Sequence, residues 1–177
     1  MKDDYFDILS ECSEGMPRFA DGRIDFSEAK VIPVVNVLVI HDDDILILKR
    51  TSKVSTNQNK WDCVGGYLDE EISPEKKALK ELKEETGITS TDIQEIVRGG
   101  PITISEKSPS RRWIIFPVMV TLKDIKDKPE PSLDWEHSKY KWIRKSRIEG
   151  FAQSEKIRDL LFSCTIAGKG EKGGYST

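Results

Sequence analysis

Apolar residues come in short β-branched blocks along most of the chain, and only two long stretches carry helical spacing. Residues 31–40 form the first block, the turn cluster His41-Asp42-Asp43-Asp44 follows, and residues 45–48 are apolar again before Lys49-Arg50. This pattern predicts two adjacent strands joined as a hairpin. A polar stretch over residues 51–60 leads into residues 61–68, where Gly65-Gly66 predicts a loop that breaks a short strand. Further strand-like runs occupy residues 101–105, 113–122 and 140–143, with a Lys/Asp/Pro loop over 123–134. Ahead of them, residues 1–30 are polar and acidic, with a small amphipathic piece (Tyr5, Phe6, Ile8, Leu9) and a short strand predicted at 23–26. They read as an N-terminal extension.

The two helical stretches differ in character. Residues 154–164 repeat Ile157, Leu160, Leu161 and Cys164 at helical spacing, which predicts a helix docked on the sheet. Residues 167–177, rich in Gly, Lys and Ser, are expected to form a flexible tail. Residues 74–86 are bounded by Ser73 as N-cap, Pro74 as first helical residue and Gly87 as left-handed stop.

On that helix Ala78, Leu79, Leu82 and Thr86 share one arc, and Glu81, Glu84 and Glu85 share the arc beside it. Like charges at these spacings cost about 0.2 to 0.5 kcal/mol per pair. Glu84 and Glu85 also sit at the negative end of the helix dipole. Lys77 and Lys80, one turn earlier, offset part of the repulsion, so a solvated Glu/Lys face is one account of the pattern. A cation-binding face is the other, because three crowded carboxylates are hard oxygen ligands suited to Mg²⁺ or Mn²⁺.

Length and charge narrow the field. The 177 residues suffice for one domain around a single core. With 28 Lys and Arg against 31 Asp and Glu, the net charge of −3 offers no basic excess for a nucleic-acid duplex. Cys12, Cys63 and Cys164 are odd in number and widely spaced, so they read as reduced thiols. With an acidic first segment and no apolar run long enough for a bilayer, a soluble cytoplasmic protein without membrane contact is expected.

The run Gly66-x5-Ile72-x7-Lys80-Glu81-Leu82-Lys83-Glu84-Glu85-Thr86-Gly87-Ile88 resembles the Nudix box of MutT-like hydrolases, with spacing matched throughout. Two positions depart from it: Ile72 stands where the box has its first glutamate, and Lys80 where it has arginine. In the family those two residues support each other, so the departures read as one coupled change. Glu70 and Glu71 lie near enough to replace the missing acid if the loop shifts register. The resemblance extends more weakly over residues 31–151. It implies an α/β fold, an α/β/α sandwich around a mixed β-sheet, with the domain at residues 31–166.

It also implies a chemistry: divalent-metal-dependent hydrolysis of the pyrophosphate bond in a nucleoside diphosphate linked to another moiety. The cofactor would be Mg²⁺ or Mn²⁺ and the partner a small-molecule nucleotide or diphosphate. Carried over by position, Glu81 and Glu85 become the principal metal ligands, Glu84 a ligand or water-activating catalytic partner, and the Gly66 carbonyl a further ligand. Gly65 and Gly66 would adjoin the substrate. Glu136, in Trp135-Glu136-His137, occupies the place from which a later loop would supply a general base. Arg50 is expected to reach a phosphate through its planar fork, and Arg111-Arg112 offers the same chemistry with weaker placement. His137 is expected to hydrogen-bond within its loop and Cys63 to be a small buried residue. At most one of Trp61, Trp113, Trp135 and Trp142 is expected to touch a substrate.

Two other readings stay open. Ile72 and Lys80 suit a Nudix-fold nucleotide-binding module with little or no turnover. Arg50-Thr51-Ser52-Lys53 has the flavour of an isopentenyl-diphosphate-isomerase-like enzyme, which needs a catalytic cysteine at a place from which Cys63 is offset. The sequence leaves oligomeric state open, a homodimer included.

Overall fold

The computed structural model describes residues 4–107, 110–124, 127–150 and 154–172. In chain order the elements are α1 (Asp4–Ser13), β1 (Val31–His41), β2 (Asp44–Arg50), β3 (Trp61–Asp62), β4 (Val64–Tyr67), α2 (Pro74–Thr86), β5 (Ile93–Arg98), β6 (Ile102–Lys107), β7 (Ser110–Leu122), β8 (His137–Arg144) and α3 (Ser154–Lys172).

The sheet is mixed. Its spine is a parallel pairing of β1 with β7 that runs from Val31 opposite Arg112 to Ile40 opposite Thr121. On its other edge β1 pairs antiparallel with β4 and, at its end, with β2. β2 continues antiparallel to β8 and β3, while β7 carries β5 and β6 along its outer edge. Both faces of β1 are buried, as the near-continuous apolar run of a central parallel strand requires.

Alternation along the strands splits the core into two layers. Val37, Val39, Leu46, Leu48, Val118 and Val120 face Ala78 and Leu82 of α2. Leu38, Ile40, Ile45, Ile47 and Ile115 face Ile157 and Leu160 of α3. Helices thus cover both faces, giving the α/β/α sandwich. Residues of the N-terminal extension are drawn in too: Tyr5, Leu9, Ile24 and Phe26 pack with Val35, Leu68 and Phe116.

Four local expectations are changed. Gly65-Gly66 do not form a loop; they lie inside β4, opposite Asn36 and Val35, and the interruption falls at Cys63. A Cβ on Gly65 would meet Asn36 Nδ2 at 2.4 Å, so glycine here permits close approach rather than a turn. The strand predicted at 23–26 is only an isolated bridge between Arg18 and Ile24. α3 runs on through Gly168 to Lys172, and the rest of the expected tail, 173–177, lies outside the described residues. β5 has no counterpart in the sequence pattern, because a register shift between Ile93 and Glu95 breaks its alternation. Among the described residues no helix is long and apolar enough to cross a membrane.

Candidate active site

α2 is fixed at both ends by the residues that marked it in the sequence. Ser73 Oγ accepts from the Lys76 N–H at 3.3 Å, and Gly87, at φ 71°, donates its N–H to the Lys83 carbonyl at 2.9 Å. The Ser132 N–H also donates to the Thr86 carbonyl at 2.8 Å, tying the loop before β8 to the end of the helix. Burial of Ala78 and Leu82 then sets the rotation of α2 and turns its acidic arc toward β4.

Glu81 and Glu85 are pressed against the two glycines. A Cβ on Gly66 would fall 2.4 Å from Cδ of Glu81, and the Gly65 N–H donates to Glu85 Oε1 at 3.4 Å. Glu85 is only 4% exposed, and its Oε2 has no hydrogen-bond partner. Burial pushes its carboxyl well above the ordinary 4.5, and Glu81, Asp134 and Glu136 add to the shift against the opposing Gly65 N–H. Burial also raises Glu81, against the pull of Lys77. Glu84 is exposed and lines the same cleft.

Lys77 is the residue whose place the sequence concealed. A solvated Glu/Lys face would expose it, yet it is 4% exposed, with Nζ 2.8 Å from Asp69 Oδ1, 3.0 Å from Glu81 Oε1 and 3.1 Å from Glu70 Oε1. Burial works against its ammonium, but Asp69 and Glu81 hold its pKa above the ordinary value. Lys80 Nζ meets Glu70 Oε1 at 2.6 Å, and the Ile72 N–H donates to the Glu70 carbonyl at 2.8 Å in a tight turn. Glu70 is thus the carboxylate that pairs with Lys80, while Ile72 brings none. Glu71 turns away to Arg18 at 2.7 Å.

A cleft of about 890 Å³ gathers Glu81, Glu84, Glu85, Gly65, Gly66, Arg50 and Glu136. Arg50 Nη2 lies 3.4 Å from Glu136 Oε2, and its Nε donates to the Thr56 carbonyl. Glu136 is strapped down by its own carbonyl, which accepts from the Thr51 N–H at 2.7 Å. His137 makes its loop hydrogen bond through Nδ1 to Asp134 at 2.9 Å, and its Nε2 faces Glu85 Oε2 at 3.7 Å.

Two tryptophans line the cleft: Trp135, 64% exposed, and Trp113, stacked on Tyr67 with ring centroids 6.3 Å apart. Trp61 carries Lys141 over its face, and Trp142 donates to the Pro129 carbonyl, both outside the cleft lining. Arg111 donates to the Ser27 carbonyl, and neither it nor Arg112 lines the cleft.

A second buried ion pair was not anticipated. Lys156 Nζ of α3 reaches Asp62 of β3, 2.5 Å from Oδ1 and 2.7 Å from Oδ2, on the lining of the cleft. Only its place beside Ile157 on an apolar helix face hinted at it. Cys63 is buried beside this pair and donates its N–H to Asp62 Oδ1; burial first, and Asp62 second, push its thiol up.

Among the described residues no three or more His, Cys, Asp and Glu side chains are grouped so that they could hold a metal ion as they stand. The chemistry of the donors nonetheless suits a cation: Glu85 Oε2 is a buried oxygen without a hydrogen-bond partner, and the absence of side chains at Gly65 and Gly66 leaves both carboxylates seated on backbone.

The model of the NUDIX domain matches this chain over residues 30–161. The chain belongs to the Nudix family. Solved structures share the Nudix fold with it at low identity. The MutT protein of Methanosarcina mazei Go1 has TM-score 0.61 and 23% identity, covering 78% of this chain and 96% of that one. An Ap4A hydrolase of C. elegans, solved as a binary complex, has TM-score 0.55 and 18% identity over 77% and 98% of the two chains. A bifunctional NMN adenylyltransferase/ADP ribose pyrophosphatase from Francisella tularensis, complexed with AMP and a Mn ion, has TM-score 0.59 and 20% identity. It covers 90% of this chain, which spans 45% of that longer one.

Proposed function

We propose that this Nudix protein hydrolyses the pyrophosphate bond of a nucleoside diphosphate linked to another moiety, using Mg²⁺ or Mn²⁺ held by Glu81, Glu84, Glu85 and the Gly66 carbonyl. The observation that carries this reading is Glu85 Oε2, buried without a hydrogen-bond partner beside Glu81 in a cleft that also holds Arg50 and Glu136. A divalent ion there supplies neutralisation of the pyrophosphate charge and acidifies water.

The remaining work falls to the chain's own groups. Glu136, fixed through Arg50 and Thr51, takes the proton of the attacking water, and Glu84 and Glu81 complete the catalytic set. Arg50 keeps guanidinium donors for a phosphate oxygen after serving Thr56 and Glu136. Gly65 and Gly66 leave room for the diphosphate to approach backbone, and the Tyr67–Trp113 stack offers an apolar face to a base.

The test is a panel of nucleotide sugars, dinucleoside polyphosphates and ADP-ribose with and without Mg²⁺. Monophosphate release that requires the ion and falls roughly hundredfold or more in Glu85→Gln supports the reading. No release from any substrate counts against it. The binding-module reading is favoured by one observation, the Lys77 ion pair that already occupies Glu81. Nucleotide binding that is indifferent to Mg²⁺, without product, would favour that alternative. The isomerase-like reading has little support, since Cys63 is a buried thiol with a raised pKa.

A further inference from the structure

The two buried carboxylates of the box are not equivalent. Glu85 offers an oxygen with no hydrogen-bond partner, 3.7 Å from His137 Nε2, whereas Glu81 already has the Lys77 ammonium at 3.0 Å. That cation, Lys77 Nζ, has three donors and three carboxylate partners at 2.8 to 3.1 Å: Asp69, Glu81 and Glu70. It is held from two sides, by the loop after β4 and by its own helix, one turn before Glu81. Glu81 cannot retreat from it freely, because its carboxylate is packed on the Gly66 backbone. Asp69 and Glu70 are occupied in turn by Arg23 at 3.2 Å and Lys80 at 2.6 Å, so neither is free to take over a second ion.

We propose that Lys77 is a resident cation of this site: its ammonium fills one of the cation positions on Glu81, so that the protein takes up its divalent ion on the Glu85 side. The consequence is a smaller complement of metal than three glutamates would otherwise gather. A divalent ion approaching Glu81 meets a fixed positive charge within a few ångström in a buried setting, where like charges repel strongly. Lys77 is thereby a positioning residue, setting where and how many ions bind. This inference rests on the metal-dependent reading given above.

The experiment is Mn²⁺ titration without nucleotide, read by electron paramagnetic resonance of free Mn²⁺ and by calorimetry, on the wild type, Lys77→Gln and Lys77→Arg. The expected result is one Mn²⁺ per chain for the wild type and for Lys77→Arg. Lys77→Gln should take a second ion, or bind the first at least tenfold more tightly. Equal number and affinity in wild type and Lys77→Gln would overturn the inference while leaving metal binding intact. No uptake by any of the three proteins would overturn the metal-dependent reading along with it. Should Lys77→Gln fail to fold, acetic anhydride labelling of the wild type with peptide mapping decides. Lys77 should stay at least tenfold less reactive than Lys80 with and without saturating Mg²⁺. Release of Lys77 to Lys80-like reactivity by Mg²⁺ would show that the ammonium yields its place, overturning the inference.

Discussion

The carboxylate of Glu81 rests directly on the backbone of Gly66, at a separation that leaves no room for even one methyl group between helix α2 and strand β4. Gly66→Ala must therefore displace the helix side chain or the strand. The expected outcome is a fall in kcat of roughly hundredfold, since ångström-scale misplacement of a catalytic group costs that much. The fold should lose about 1 to 3 kcal/mol by overpacking. Steady-state kinetics and chemical denaturation check both.

Glu85 gives a pH signature in the metal-free protein. Its folded carboxyl titrates well above the ordinary 4.5, so below pH 4.5 folded and unfolded chains are both protonated. As pH rises from 4.5 to the raised value, the folded protein keeps a proton that the unfolded chain has released. Stability from this group is thus greatest at low pH and declines as pH rises through that window. Glu85→Gln should remove this decline and stabilise the metal-free fold at neutral pH by about 1 to 3 kcal/mol, the cost of an unsatisfied buried group. Mn²⁺ should raise the Tm of the wild type and leave that of the variant unchanged.

Glu70 pairs with Lys80 at 2.6 Å, and whether it takes the place of the acid missing at Ile72 can be tested by moving the carboxylate. Ile72→Glu alone should change stability by less than about 1 kcal/mol, because Lys80 is partly exposed and already paired. Glu70→Gln alone should lower stability and hydrolysis together, since it also loosens Lys77. The double variant should recover part of both, and a double-mutant cycle measures the recovery. Simple additivity would show that positions 70 and 72 do not share a role.

Cys63→Ala should retain hydrolysis within a factor of about two and lose roughly 1 kcal/mol of stability, the ordinary cost of a small buried truncation. The wild-type thiol should resist iodoacetamide until the protein unfolds. Loss of all turnover in Cys63→Ala would instead return attention to thiol chemistry.

Much of the fold could be read from residues whose roles are local. Ser73, Pro74 and Gly87 bound a helix by capping chemistry alone, and the apolar runs in residues 31–40 and 113–122 mark the two central strands. β5 was hidden because its bulge cancels the period that would have shown it. The glycine pair misled because glycine signals a turn and a close approach alike, and only the neighbours, Asn36 and Glu81, tell them apart. The box placed Glu81, Glu84 and Glu85 on one cleft with Arg50 and Glu136. Lys77, Asp69 and the Asp62–Lys156 pair escaped because each charge is buried only through a partner distant in sequence or on another element.

The parallel pairing of Val31 with Arg112 also dictates an order of assembly. During synthesis the hairpin, the glycine strand and the acidic helix leave the ribosome well before the strand that must lie beside β1. Until that late strand arrives, the apolar edge of β1 stays open, and such long-range closure is intrinsically slow. The nascent chain is then at its most vulnerable to aggregation, so variants that weaken β7 should reduce soluble yield more than equally destabilising changes in α2.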